Sequence, residues 1–122
     1  MTAPPYPVPM SQHLTLTPVA PAGATLTFSL YGYTYRVVGR VADEQVFRFD
    51  LSPTYAAPFD QVVEAAVRGE DASMTATTWR SGVSSAGGVL TVHAQTGATP
   101  PERVDWTLGP EAAAELKGWI GR

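Results

Sequence analysis

Hydrophobic residues recur at every second position through most of this chain, and at every third or fourth in two short stretches. Leu14 and Leu16 alternate with Thr15 and Thr17 as far as Pro18. After a Pro- and Gly-containing turn at 21–23, Leu26, Phe28 and Leu30 alternate with Thr25, Thr27 and Ser29. That is the period of a half-buried strand with one apolar and one hydroxyl side. Gly32 marks either a hairpin turn or a bulge. Tyr33, Tyr35, Val37 and Val41 then fall on one side, with Thr34, Arg36, Val38 and Arg40 opposite; after a short connection over 42–45, Phe47, Phe49 and Leu51 alternate with Arg48 and Asp50. The block 24–51 predicts an antiparallel meander.

Over 58–68 the period becomes helical, with Phe59, Val62, Val63, Ala66 and Val67 at i, i+3, i+4, i+7 and i+8. Pro58 suits a first helical turn and Gly69 a left-handed terminus. Asp60 near the start and Arg68 near the end match the helix dipole. Strands are predicted again over 73–80, 89–95 and 103–108, the second of them following a flexible loop over 81–88. A closing helix over 110–120 carries the stripe Ala112, Ala113, Leu116, Trp119 and Ile120. Runs of strands with segregated helices predict an α+β fold. Its mostly antiparallel sheet has about six or seven strands, with the helices (about 58–68 and 110–120) packed on one face. Residues 1–10 hold four prolines and predict a flexible arm, able to dock elsewhere through Tyr6 or Val8. The remainder, 11–122, reads as one domain.

Composition narrows the function classes. The 122 residues include no cysteine, which excludes disulfides, thiolate zinc sites, iron–sulfur clusters and thiol nucleophiles. A net charge of −3 argues against generic binding to nucleic acid or anionic membranes, although a local basic face remains compatible with it. No run approaches the roughly 18 apolar residues of a membrane span. The start of the chain lacks the basic and apolar regions of a signal peptide, so a cytoplasmic location is the default expectation.

Chemistry-bearing constellations are sparse. His13 and His93 sit in strand-like segments without metal-ligand spacing, and each reads as a solvated or singly hydrogen-bonded imidazole. No nucleophile elbow, phosphate loop or dinucleotide fingerprint occurs. Glu70 and Asp71 read as turn caps and Asp43 and Glu44 as a hairpin tip, while Asp50 and Asp105 read as cross-strand ion-pair partners. The expectation is a non-enzymatic protein with no cofactor and no metal. Tyr33, Tyr35, Phe47, Phe49, Phe59, Trp106 and Trp119 are most economically core. A small-molecule pocket lined by the tyrosines and Trp79 is the alternative use.

Charge placement carries the sharpest signal. Arg36, Arg40, Arg48, Arg80 and Arg103 lie on the non-apolar sides of strand-like stretches. The acids Asp60, Glu64, Glu70, Asp71, Glu111 and Glu115 gather on helices and in turns. Guanidinium forks suit carboxylates and phosphates alike. The first expectation is therefore a small interaction module, in an accessory, immunity or phage-type role, that binds another protein through an arginine-bearing sheet face. The alternative is a single-stranded nucleic-acid binder on the same face. With the aromatics assigned to the core that alternative lacks stacking groups, and a change in their placement would reverse the order. Self-association through an edge strand at 14–17 is compatible with each reading.

Overall fold

A computed structural model describes residues 13–76 and 81–120. Eight strands and two helices follow one another as β1 (His13–Leu16), β2 (Ala24–Tyr31), β3 (Thr34–Val41), β4 (Glu44–Leu51), α1 (Pro53–Arg68), β5 (Ala72–Ala76), β6 (Ser81–Ala86), β7 (Val89–Gln95), β8 (Arg103–Leu108) and α2 (Pro110–Ile120). The α+β class is as the sequence indicates. The strands number eight rather than six or seven, and they divide into two four-stranded antiparallel meanders, β1-β2-β3-β4 and β5-β6-β7-β8. The proline-rich segment 1–10 lies outside the described residues.

Local chemistry sets the first meander. β2 and β3 are joined by the two-residue turn Gly32–Tyr33, so Tyr31 pairs with Thr34 and every alternate residue keeps its side. β3 and β4 are joined by Ala42–Asp43, both at positive φ (50° and 68°) as a type I′ turn demands. A register shift between Gly39 and Arg40 then allows Arg40 to face Gln45 while Gly39 faces Phe47. At Gly39 the two sheets meet closely: a Cβ there would overlap the Phe47 ring and lie 2.8 Å from Trp106. The bare backbone lets Trp106 of β8 set its ring edge-on to Phe47, with centroids 4.8 Å apart.

One apolar cluster fills the space between sheets and helices, drawing Phe28, Val37, Phe49, Phe59, Val83, Val92, Leu108 and Leu116 from eight different elements. α1 touches strands of both sheets, and α2 packs on α1, β1, β7 and β8. The helices thus occupy the core-facing sides, and each sheet keeps an open face.

Two local expectations change. α1 begins at Pro53 rather than residue 58, with Pro53 in the first turn and Pro58 inside the helix. The apolar stripe starts only at Phe59 because the earlier residues are exposed or half-buried, which hides this turn from periodicity. The segment 81–88, expected as a loop, contains β6 paired on both sides. Its core-facing positions are Ser81, Val83 and Ser85, all buried, so two serines stand where alternation would look for large apolar residues. Ser85 Oγ donates to the Glu70 carbonyl at 2.7 Å, which satisfies one of them. Gly82 is bare because a Cβ there would overlap the Met74 carbonyl. The expected strand 73–80 is observed as Ala72–Ala76, its last four positions lying outside the described residues. Neither described helix is long and apolar enough to cross a membrane.

Candidate functional site

The open face of the first sheet is built in rows by the strand register. Thr25, Arg40 and Gln45 form one row; Thr15, Thr27, Val38 and Arg48 form the next; His13, Ser29, Arg36 and Asp50 form a third; and Tyr31 with Thr34 closes the end near the β2–β3 turn. The structure therefore brings Arg36, Arg40 and Arg48 onto one surface, alternating with hydroxyl side chains. Arg103 is on the other sheet, and Arg80 lies outside the described residues. Ser29 and Val38 are 5% and 8% exposed although they face away from the core, so the longer side chains of their rows close over them.

Three guanidinium groups share these rows with a single carboxylate. Arg36 spends part of its charge on that group: its Nε and Nη2 donate to Asp50 at 3.0 and 3.4 Å, the cross-strand pair anticipated for Asp50. The same guanidinium sits 4.9 Å from the centre of the Tyr31 ring, a cation–π contact that orients both. Hydrogen bonding to Asp50 pushes the Arg36 pKa further up from an already high value, and the group stays charged. Arg40 and Arg48 have no ion-pair partner among the described residues. His13 Nδ1 lies 2.9 Å from Ser29 Oγ and its ring meets Tyr31 edge-on at 6.2 Å, so among the described residues this imidazole makes the single hydrogen bond expected of it.

One aromatic placement corrects the reading from sequence. Tyr33 was assigned to the core and is instead 83% exposed, at the tip of the β2–β3 turn. It precedes the strand, so the period-two pattern that fits Tyr35 and Val37 does not extend to it. Tyr31, at 52% exposed, continues the hydroxyl side of β2 rather than its apolar side. Tyr35, Phe47, Phe49, Phe59, Trp106 and Trp119 are buried as expected.

The second sheet has an open face of its own, with Ser73, Ser84, Thr91, His93, Gln95, Arg103, Asp105 and Thr107 in register. Arg103 Nε donates to Asp105 within the same strand at 3.0 Å, and both are largely solvated. Burial, with help from Arg103, lowers the His93 pKa and favours neutral imidazole. A cleft of about 350 Å³ separates the two faces, lined by Gln45 and Arg48 from β4 and by Ser81, Gln95 and Thr96. Arg48 thus stands at the border of both surfaces. No group of three metal-ligating side chains occurs among the described residues.

At the end of the first sheet, Tyr35 Oη donates to Asp60 Oδ1 of α1 at 3.3 Å. Desolvation by burial, reinforced by Asp60, raises the Tyr35 pKa to about 12. Burial also raises that of Asp60, against the opposing pull of Tyr35 and Lys117. A phenol whose pKa is higher in the folded state contributes stability that is intact below its unfolded value near 10 and is lost as pH rises towards 12. The melting temperature is expected to fall across that window, and less steeply in Tyr35→Phe. Equal slopes in both proteins would show that other groups cause the loss.

Fold and site together define a small two-sheet α+β protein with an open arginine- and threonine-bearing face. In its fold the chain is similar to the solved structure of MRP1/MRP2 from Trypanosoma bruciei, with a TM-score of 0.55 and 17% identity over 82% of this chain and 72% of that one. No protein-family profile matches the chain, and no curated protein matches it. At that identity the likeness concerns the fold alone.

Proposed function

We propose that the protein is a non-enzymatic binder of single-stranded nucleic acid and that the strand lies on the open face of the first sheet. The observation that carries this reading is the presence of exposed rings beside the arginines: Tyr31 on the face, in contact with Arg36 and His13, and Tyr33 just beyond it. Arginines alone suit a carboxylate-rich protein surface as well as a phosphate backbone. Exposed aromatic rings add a group on which unpaired bases stack, worth about 1–3 kcal/mol per base. A duplex buries its base faces and cannot use them. The threonine and serine hydroxyls between the arginines offer hydrogen bonds to phosphate and sugar without reading sequence. The placement of Tyr31 and Tyr33 moves this reading ahead of a protein partner.

Fluorescence anisotropy with a labelled oligothymidylate and a duplex of equal length tests it. Binding to the single strand is expected to weaken steeply between about 50 and 200 mM salt, because each neutralised phosphate releases a counterion. The duplex is expected to bind more weakly at every salt concentration. Absence of single-strand binding at low salt, or a preference for duplex, would contradict the proposal.

A further inference from the structure

The open face ends at the β2–β3 turn, and a second feature begins there. A pocket of about 450 Å³ opens beneath Tyr33, lined by Leu30, Tyr35, Pro53, Ala56, Ala57 and Asp60. Its walls are largely apolar, yet Asp60 brings a carboxylate into it from the second turn of α1. Tyr35 is the only side chain among the described residues that donates a hydrogen bond to that carboxylate. A carboxylate offers about four acceptor positions, so most of its accepting capacity remains for a ligand. At the rim, Tyr33 is 83% exposed and makes no ring contact within the described residues. The whole therefore presents an acceptor-only group at depth, apolar walls around it and a free aromatic ring at the mouth.

We infer that this pocket receives an unpaired guanine base, which stacks on Tyr33 and directs its N1–H and 2-amino donors to Asp60. The inference rests on the proposed single-strand function for the strand that delivers the base. Guanine carries two adjacent N–H donors on its pairing edge, and a carboxylate can accept both, much as it accepts the two parallel donors of an arginine fork. Adenine presents an amino donor beside a ring acceptor, and that acceptor would oppose a carboxylate oxygen. Unpaired bases recognised in this way, by stacking on an aromatic side chain and by hydrogen bonds to their pairing edge, are the usual route to sequence preference in single-strand binders. The location supports it: a strand crossing the rows past Arg36 and Tyr31 reaches Gly32 and Tyr33 next, and the pocket lies directly around that turn.

The test uses free nucleosides, which carry no phosphate and do not depend on the arginine face. Guanosine, inosine and adenosine are titrated into the intact protein while the backbone amides of Ala56, Ala57 and Asp60 are followed by NMR. Guanosine is expected to shift them and inosine, which lacks the 2-amino group, to do so more weakly. Adenosine is expected to leave them in place. Tyr33→Ala, at a solvent-exposed position that cannot threaten folding, is expected to weaken guanosine binding about 5-fold or more. Asp60→Asn, checked for folding by its melting temperature, is expected to abolish the order guanosine over inosine over adenosine. Guanosine without effect on those amides, or an effect shared by adenosine, would overturn the inference. An oligothymidylate that still bound the sheet would then leave the strand-binding reading in place. Guanosine binding without oligothymidylate binding would support the pocket and sink that reading instead.

Discussion

Replacing Phe59 with alanine is expected to lower the unfolding free energy by about 3–5 kcal/mol, the range for removing a large buried aromatic. Phe59 is fully buried and is the residue of α1 on which two strands converge. Its ring stacks on Phe28 of β2 with centroids 6.0 Å apart and meets Tyr35 of β3 at 5.2 Å. Tyr35 in turn touches Trp119 of α2, so the loss reaches both helices and the first sheet. A domain with a total stability of about 5–15 kcal/mol would be brought close to unfolding. Val67→Ala, on the exposed side of the same helix at 46% exposed, is the control and should stay within about 0.5 kcal/mol. Urea denaturation of both variants measures the difference. A loss below about 1 kcal/mol at Phe59 would mean that the site repacks and that the helix is not anchored through this ring.

The largest expected effect on function comes from reversing Arg40 and Arg48 together. Arg36 lies on the same face, but it is tied to Asp50 and braces Tyr31. Its loss would disturb the face as well as its charge. Arg40 and Arg48 have no ion-pair partner to orphan among the described residues, and neither belongs to the apolar cluster. Arg40→Glu with Arg48→Glu exchanges two attractive charges for two repulsive ones. Oligothymidylate affinity at about 100 mM salt is expected to fall at least about tenfold, with a shallower salt dependence because fewer phosphates are neutralised. The melting temperature should change little, since exposed charges contribute little to stability. Unchanged affinity in a folded double variant would remove these two arginines from the interface.

Much of this architecture is legible in the chain because burial on one side imposes a period. β2, β3 and β4 alternate cleanly, and Gly69 ends α1 in the left-handed conformation with its amide and that of Glu70 bonded to the Ala66 and Ala65 carbonyls, as its position suggests. The three arginines on one face follow from the same alternation. What stays hidden has physical causes. β6 fills core positions with serines and brings Gly82 against the neighbouring backbone, so it carries no hydrophobic signature. The close packing of the second sheet on the first relies on Gly39 leaving room for Trp106, a contact between residues far apart in sequence. Tyr33 sits in a two-residue turn, where periodicity ends and exposure is set by turn geometry. Asp60 reads as a dipole-matched helix residue, and only the third dimension shows that it faces Tyr35 in a pocket.

An NMR footprint of the bound oligothymidylate tests the central claim most directly. The amide resonances of Thr27, Tyr31, Arg36, Arg40 and Arg48 are expected to move together on titration. Those lining the groove between the end of β1 and the start of α2, such as Ala112 and Glu115, should remain in place. That result would locate the strand on the open face of the first sheet. Perturbation confined to that groove or to the second sheet, or no perturbation at low salt, would contradict the account.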